Sequence, residues 1–473
     1  MKRTITVAGI GAWHTHSKDF TQRVMKYPGA KVVAVWDNDV IRGKQWAQEC
    51  GCVFQPDIDV LLADTSIDAV TITCETTLHY EMILKAAKAG KHIYVEKPPF
   101  LTADEAREAR KIIRENHIKF MIGSPIVKPM HLKTQQMLKE GLLGDVVSMR
   151  YRTVHELALL GTQKESFFKR DANGGGVMLD MGNHALHLLS WFAGAPVKTK
   201  AIYTSYSDKA ASYGVDDNDI AVLEFENGVL GTIETGWVTP WYQYGFDLYG
   251  TKGSVSCRAY EMFVCLEDGI WRRVPEEELP EAETYPLHYW IDCIREDKPI
   301  ERDDIDVAVL MTEMSEQVEE AAKQPVFPAE PMPSGLEYAD TPALKAARDI
   351  AASGRMGQIL NMRVHCCGEK PIGELAAQAK KILCTFFGEP LGEKQIVSSS
   401  GVRAGQSTAA LLAFENKRLG IAEACSNMPE FEYAVDICAT HGWLRIRGDQ
   451  VSCTTTEPGN RNAEWHVVCG EEV

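Results

Sequence analysis

Apolar residues in the first part of the chain fall into two alternating patterns. Thr4-Ile5-Thr6-Val7-Ala8 is a short apolar run that meets Gly9-Ile10-Gly11, and Lys31 to Trp36, Ala69 to Thr73, His92 to Val95 and Lys119 to Ile122 repeat that strand-like pattern. Between them lie stretches with helical spacing, such as Leu78 to Lys88 and Ala103 to Asn116, each followed by a Gly or Asn turn signal. Strands and helices in this alternation predict an α/β fold, a doubly wound parallel sheet with helices on both faces.

Ligands of such sheets bind beyond the carboxyl ends of the strands, and the turn after the first strand is where a pyrophosphate would sit. Gly9 and Gly11, with Ala12, Trp13 and His14, occupy that turn. The glycines permit a tight turn and a close approach of backbone N–H groups to phosphate at a helix N-terminus. His14 replaces the third glycine of the dinucleotide fingerprint. Asp37 ends the second strand, where a carboxylate accepts hydrogen bonds from the adenosine ribose and repels a 2′-phosphate, so NAD is expected in preference to NADP. The competing role for Asp37 is to cap the next helix, which Asp39 could do equally well. His14 and His16 invite a metal reading. Two residues apart at a helix start, however, they share no helical face, and no partner ligand stands near them in the sequence, so packing or capping is expected and no metal.

At 473 residues the chain exceeds the roughly 250–300 that one core usually holds, so two or three domains are expected. The net charge of −16 repels nucleic-acid phosphates and argues against such a partner. No apolar run approaches the roughly 20 residues of a membrane span, and Met1-Lys2-Arg3-Thr4 leads straight into a strand without a signal-peptide pattern. Thirteen scattered cysteines with no CxxC pair read as reduced thiols in a cytoplasmic protein.

The segment Ala87-Lys88-Ala89-Gly90-Lys91-His92-Ile93-Tyr94-Val95-Glu96-Lys97-Pro98 resembles the Glu-Lys-Pro region of the Gfo/Idh/MocA oxidoreductases. A second stretch, Gly174-Gly175-Gly176-Val177-Met178-Leu179-Asp180-Met181-Gly182-Asn183-His184, resembles that family's glycine run leading to Asp-x-Gly-x-His. Thr76 and His79 stand where the family commonly has Asn-x-x-His, and Tyr249-Gly250-Thr251-Lys252-Gly253-Ser254 resembles its Gly-Thr-Lys-Gly hairpin. Tyr285 to Val326 resembles its closing helices, so the likeness covers about residues 1–326.

The resemblance implies an N-terminal Rossmann domain holding NAD and an α+β domain with a large, mostly antiparallel sheet. It implies hydride transfer between nicotinamide and a secondary hydroxyl of a sugar, cyclitol or glycoside. Lys97 would polarise the reacting oxygen, His184 would be the acid/base, and Asp180, four residues earlier and hence on the same helical face, would orient them. Thr76, His79 and Glu96 join the glycine turn as expected cofactor contacts. His155, Arg170, Trp237 and His187, the last where the family often has Asp, are the candidate substrate contacts. Two other readings stand beside this one: a glycoside-cleaving enzyme working by transient oxidation with retained NAD, and a non-catalytic NAD-sensing regulator.

The remainder repeats the second domain. Leu143-Gly144-Asp145-Val146-Val147-Ser148-Met149-Arg150 parallels Met356-Gly357-Gln358-Ile359-Leu360-Asn361-Met362-Arg363, and Phe225-Glu226-Asn227 parallels Phe414-Glu415-Asn416. Asp247 to Gly253 likewise parallels Asp436 to Gly442. Aligning Gly194-Ala195-Pro196 with Gly388-Glu389-Pro390 puts Glu374 opposite Asp180 and Gln378 opposite His184; Gln cannot serve as acid/base, so this copy is expected to carry no chemistry. The expected domains are 1–123 (NAD-binding), 124–326 (α+β, catalytic), 327–337 (linker) and 338–473 (degenerate repeat). The repeat either covers the broad face of the second-domain sheet, replacing the sheet-to-sheet dimer contact usual in the family, or roofs the substrate cleft.

Overall fold

Short apolar runs bounded by turn residues become strands in the computed structural model, which describes residues 3–123, 127–160, 164–240, 243–258, 261–329, 341–397, 407–426, 432–448, 450–455 and 466–469. The first six are β1 (Ile5–Ile10), β2 (Ala30–Trp36), β3 (Val53–Phe54), β4 (Ala69–Ile72), β5 (His92–Val95) and β6 (Phe120–Ile122). They pair in parallel in the order β3-β2-β1-β4-β5-β6, the Rossmann order, with the chain reversing direction across the sheet between β1 and β4. Such strands are covered on both faces and so carry near-continuous apolar runs: Ala8, Ile10, Val70, Ile72, Ile93 and Val95 are all fully buried. On the opposite side, Ile5, Val7 and Phe20 pack with Leu287, Trp290 and Ile291 of the helix Pro286–Glu296, and the Trp290 indole donates to the Lys119 carbonyl at 2.9 Å.

Contacts divide the chain into two compact units: 1–128 with 166–174 and 281–316, and 129–165 with 175–280 and 317–473. The boundaries differ from those expected. Residues 166–174 and 281–316 cluster with the Rossmann sheet, held for example by Trp290 and by the Thr77 hydroxyl donating to the Asp171 carbonyl at 2.8 Å. Residues 338–473 do not stand apart as a third body but share one unit with the second-domain sheet. Most of the expected linker, from 330 onward, lies outside the described residues.

The second unit contains two eight-stranded sheets. The first is built from β7 (Val146–Val154), β8 (Pro196–Thr204), β9 (Asn218–Phe225), β10 (Leu230–Gly236), β11 (Gln243–Gly250), β12 (Ser254–Arg258), β13 (Glu261–Cys265) and β14 (Trp271–Val274). The second comprises β15 (Ile359–Gly368), β16 (Gly392–Val397), β17 (Ser407–Ala413), β18 (Leu419–Ser426), β19 (Glu432–Ala439), β20 (Gly442–Arg447), β21 (Gln450–Thr455) and β22 (His466–Cys469). The order β14-β13-β12-β11-β7-β10-β9-β8 is matched strand for strand by β22-β21-β20-β19-β15-β18-β17-β16. In each sheet one pair is parallel, β7 with β10 and β15 with β18, and the others are antiparallel. The helices Gly182–Ala193 and Ile372–Phe387 end on glycines of the same left-handed φ, 78° at Gly194 and 79° at Gly388.

The sheets face each other. Ile202, Ile220, Val222 and Leu230 pack against Ile396, Leu411, Leu419 and Ile421, forming an apolar zone between them. Beside it lies a buried ionic zone. Arg150 on β7 donates to Glu234 of its own sheet at 2.5 Å, to Asp247 at 3.1 Å and across to Asp436 at 2.6 Å. Arg363, its counterpart on β15, donates to Glu423 at 2.8 Å and stands 3.9 Å and 3.7 Å from Asp247 and Asp436. The register is the same on both sides: Asp247 is the strand partner of Arg150, and Asp436 that of Arg363. Arg445 and Arg447 complete the shell around Asp436 at 2.6 Å and 3.2 Å, and the Tyr249 ring stacks on His365.

Desolvating a charge costs several kcal/mol unless neighbours compensate it. Here they do: burial pushes the Asp436 carboxyl up, but Arg150, Arg445 and Arg447 hold it well below the usual range. Glu423 behaves likewise, burial being outweighed by Arg363 and His365, which hold its pKa down to about 2. A carboxyl depressed in the folded state stabilises the protein above its unfolded pKa of about 4.3, and that stabilisation is lost as pH falls toward the folded value. Urea midpoints measured from pH 5 downward should therefore fall more steeply for the wild type than for Glu423→Gln. Parallel curves would show that the network does not depend on this charge.

Candidate active site

The glycine turn follows β1 because two positions exclude any side chain. A Cβ at Gly9 would lie 2.3 Å from the Trp46 ring, and Gly11 has φ 77° with its would-be Cβ 2.4 Å from Cys74 Cα at the end of β4. Gly9 thus admits the helix Val40–Cys50 against the strand, while Gly11 makes the turn itself. The helix Ser17–Lys26 that follows begins at His16 without a side-chain cap. Ser17 N–H is bonded to the His14 carbonyl at 3.1 Å, and His16 N–H to His14 Nδ1 at 3.2 Å. Trp13 is buried, its indole donating to Ser166 at 3.0 Å and its ring stacked on Phe167.

Asp37 stands where expected, but its carboxylate is already fully engaged. One oxygen accepts from Asp39 N–H (2.8 Å) and Arg42 Nη2 (2.7 Å), the other from Ala12 N–H and Arg42 Nε, both at 2.8 Å. All its lone-pair positions are used within the protein, so the expected ribose contact is not available in this arrangement. Asp37 instead ties the glycine turn to the end of β2, and Asp39 caps the following helix through Ile41 and Arg42 N–H. Arg42, which also reaches Glu75 at 3.1 Å, was not anticipated. The signal available in the sequence was its position one helical turn beyond the Asp37-Asn38-Asp39 run.

Glu96, Lys97 and Pro98 follow β5 and are buried; Lys97 is 6% exposed. His79, expected at the cofactor, is fully buried, with Nδ1 2.9 Å from the Pro98 carbonyl and Nε2 3.2 Å from that of Cys74. Burial pushes its pKa down, and its two ring nitrogens link the ends of β4 and β5. Thr76 is buried with its hydroxyl 3.3 Å from Asn173. Glu96 accepts from His16 Nδ1 at 3.0 Å. Burial would raise the Glu96 pKa, but His14, His16 and Lys97 outweigh it and hold it at about 2. The His16 imidazole is raised in turn, chiefly by the charge of Glu96. Ligand atoms of His14, His16 and Glu96 all lie within 4.8 Å of one another, a grouping that the two-residue spacing of the histidines did not suggest.

In the second unit the glycine run makes room for Asp216. A Cβ on Gly176 would be 2.3 Å from the Asp216 carbonyl, which accepts Val177 N–H at 3.0 Å, while the Asp216 carboxylate accepts Met178 N–H at 3.1 Å. Asp216 thereby sets the start of the short helix that ends in Asp180. Sequence reasoning missed it, although Asp216-Asp217-Asn218-Asp219 is an unusually polar entry to a strand. Asp180 and His184 do not share one continuous helix: the first ends Val177–Asp180, the second lies in Gly182–Ala193, and Met181 joins the two. Asp180 is buried and His184 half-buried.

Trp237, expected to face substrate, is fully buried, and its indole donates to Asp180 Oδ2 at 3.2 Å. It holds the carboxylate and has no ring face left for a sugar. His187 is buried on the same helix as His184. His155 is half-buried beside the end of β10, its N–H bonded to the Gly236 carbonyl, and Arg170 is exposed at the start of the helix Arg170–Asn173.

A glycine turn at the switch point of a 3-2-1-4-5-6 parallel sheet is the architecture of dinucleotide-binding oxidoreductases, and this chain is of that class. Residues 3–124 match the family model of the oxidoreductase family, NAD-binding Rossmann fold, and residues 131–256 match the GFO/IDH/MocA C-terminal domain. The chain belongs to the Gfo/Idh/MocA family. It is 27% identical over 318 residues to scyllo-inositol 2-dehydrogenase (NAD(+)) of Bacillus subtilis (strain 168), covering 64% of this chain and 89% of that protein. It is 26% identical over 254 residues to D-glucoside 3-dehydrogenase of Escherichia coli (strain K12), covering 49% and 70% respectively. Its fold matches levoglucosan dehydrogenase in complex with NADH and levoglucosan, with a TM-score of 0.60 at 18% identity over 68% of this chain and 97% of that one.

Removing the indole N–H in Trp237→Phe leaves the buried Asp180 oxygen without that donor. The expected cost is about 1–3 kcal/mol, read as a lower urea midpoint. An unchanged midpoint would mean that Asp180 does not depend on the bond.

Proposed function

We propose that the chain is a cytoplasmic, NAD-dependent dehydrogenase that moves a hydride between nicotinamide and a secondary hydroxyl of a sugar, cyclitol or glycoside. The observation that carries this reading is Lys97, a nearly buried ammonium in the turn after β5, at the carboxyl edge of the sheet where dinucleotide ligands bind. An ammonium there polarises a carbinol oxygen and stabilises it as its proton leaves. His184 takes that proton, and Asp180, fixed by the Trp237 indole, orients the imidazole or the substrate. NAD, when bound, accepts the hydride. The residues present suit it: the uncapped start of Ser17–Lys26 and the tight turn at Gly11 would take the pyrophosphate, with Ala12, Trp13 and His14 lining that turn and Thr76, Glu96 and Lys97 beyond the neighbouring strands.

NAD is proposed over NADP because Asp37 and Glu75 flank Arg42 at the end of β2 and keep that corner net negative. His155 and Arg170 remain as proposed substrate contacts. The buried Trp237 and His187 are proposed instead to pack behind Asp180 and His184. Every cysteine whose side chain is described is a free thiol, and no helix among the described residues is long and apolar enough to cross a membrane. The free thiols support a reducing compartment.

Residues 338–473 are proposed to be a degenerate copy of the second domain standing in for a partner subunit. The shared strand order, the single parallel pair and the matched Arg150/Asp247 and Arg363/Asp436 registers support this.

A panel of inositols, hexoses and glucosides assayed by NADH absorbance should show turnover with NAD exceeding that with NADP. Lys97→Met should lower kcat by about 10³ or more while NAD still binds by fluorescence titration; retained turnover would overturn its role. Sizing in solution should reveal no dimer formed through the β7–β14 face, and a crosslinked pair joined there would overturn the stand-in.

A further inference from the structure

We propose that His14, His16 and Glu96 form a binding site for one divalent transition-metal ion of the zinc class. The three come from two separate parts of the chain, the turn before the helix Ser17–Lys26 and the residue after β5, and the fold brings one ligand atom of each within 4.8 Å of the others. The two histidines need no shared helical face, because His14 and Thr15 precede the helix and His16 is its N-cap. Their rings stand edge to face at 4.7 Å.

The buried carboxylate supplies an independent observation. Glu96 is 1% exposed, and while Oε2 meets His16 at 3.0 Å, Oε1 is buried without a hydrogen-bond partner. A buried carboxylate oxygen without a donor is costly, and a coordinated cation satisfies it. Two imidazoles and a carboxylate suit zinc and its neighbours in the transition series; calcium and magnesium require more oxygen ligands. Three protein ligands leave a further position for water or an anionic oxygen. The His16 side chain is half exposed, which gives the ion a route in from solvent. The adjacent Lys97 ammonium opposes a second cation, so the affinity expected is moderate, with Kd on the order of 1 μM.

The test uses the full chain, stripped with a chelator and then titrated with Zn²⁺ or with Co²⁺, whose visible spectrum reports its ligands. The wild type should retain one zinc per chain through gel filtration, measured by elemental analysis, and give an intense tetrahedral Co²⁺ spectrum. His16→Ala, at a half-exposed position, should weaken binding at least ~10-fold, and the His14→Ala/His16→Ala double variant should retain no zinc. Glu96→Gln should weaken binding similarly, with its circular dichroism checked because the site is buried. A wild type that retains no zinc, or a double variant that still retains one, would overturn the site; the latter would place the ion elsewhere, for example on the thiols. None of these readouts depends on dehydrogenase turnover, so they test the metal site apart from the proposed reaction, with which it shares His14 and Glu96.

Discussion

The second unit depends on a set of charges that have no water to solvate them. Arg150, Arg363, Asp247 and Asp436 lie between two sheets, each almost wholly buried, and none could be tolerated there alone. Their mutual neutralisation fixes how the sheets meet, because Arg150 reaches Asp436 only when both strands keep their register. The apolar zone of Ile220, Leu230, Leu411 and Ile421 supplies the larger share of attraction but little direction. Ionic partners supply direction, since a slip of one residue would turn them to the opposite face.

Two of the proposed catalytic groups are held by buried neighbours within their own units. Asp180 is held by Trp237 from β10's far end and by the helix start that Asp216 sets. In the first unit, His79 braces the Pro98 carbonyl and fixes the turn carrying Lys97. These supporting groups are buried and hydrogen-bonded within the protein, which is how a scaffold keeps a reactive group in place.

Much of this was legible in the sequence. The five apolar runs of the N-terminal part all became strands, and the Glu-Lys-Pro and glycine-run motifs located the two segments on which the proposed chemistry rests. Two kinds of information were not legible. The first was occupancy: Asp37 sits at the strand end as expected, yet only the fold reveals that Arg42, Ala12 and Asp39 use all its acceptor positions. Trp237 was similar, since an aromatic residue reads alike whether it stacks on a ligand or fills a core. The second was long-range proximity. Glu96 is eighty residues from His16, and no periodicity links a strand end to a helix cap. Nor could the domain boundaries be read from motifs, because 281–316 returns to the Rossmann core through Trp290.

The pairing of two similar sheets within one polypeptide has a consequence for how the interface can vary. In a homodimer every substitution at a twofold contact occurs on both sides at once, so a residue and its image must change together. Here the faces are encoded separately: Arg152 on β7 pairs with Glu234 on β10, while the equivalent register positions hold His365 and Glu423. One side can therefore change without a matching change on the other. The interface is free to be asymmetric, each face meeting the other with residues of its own.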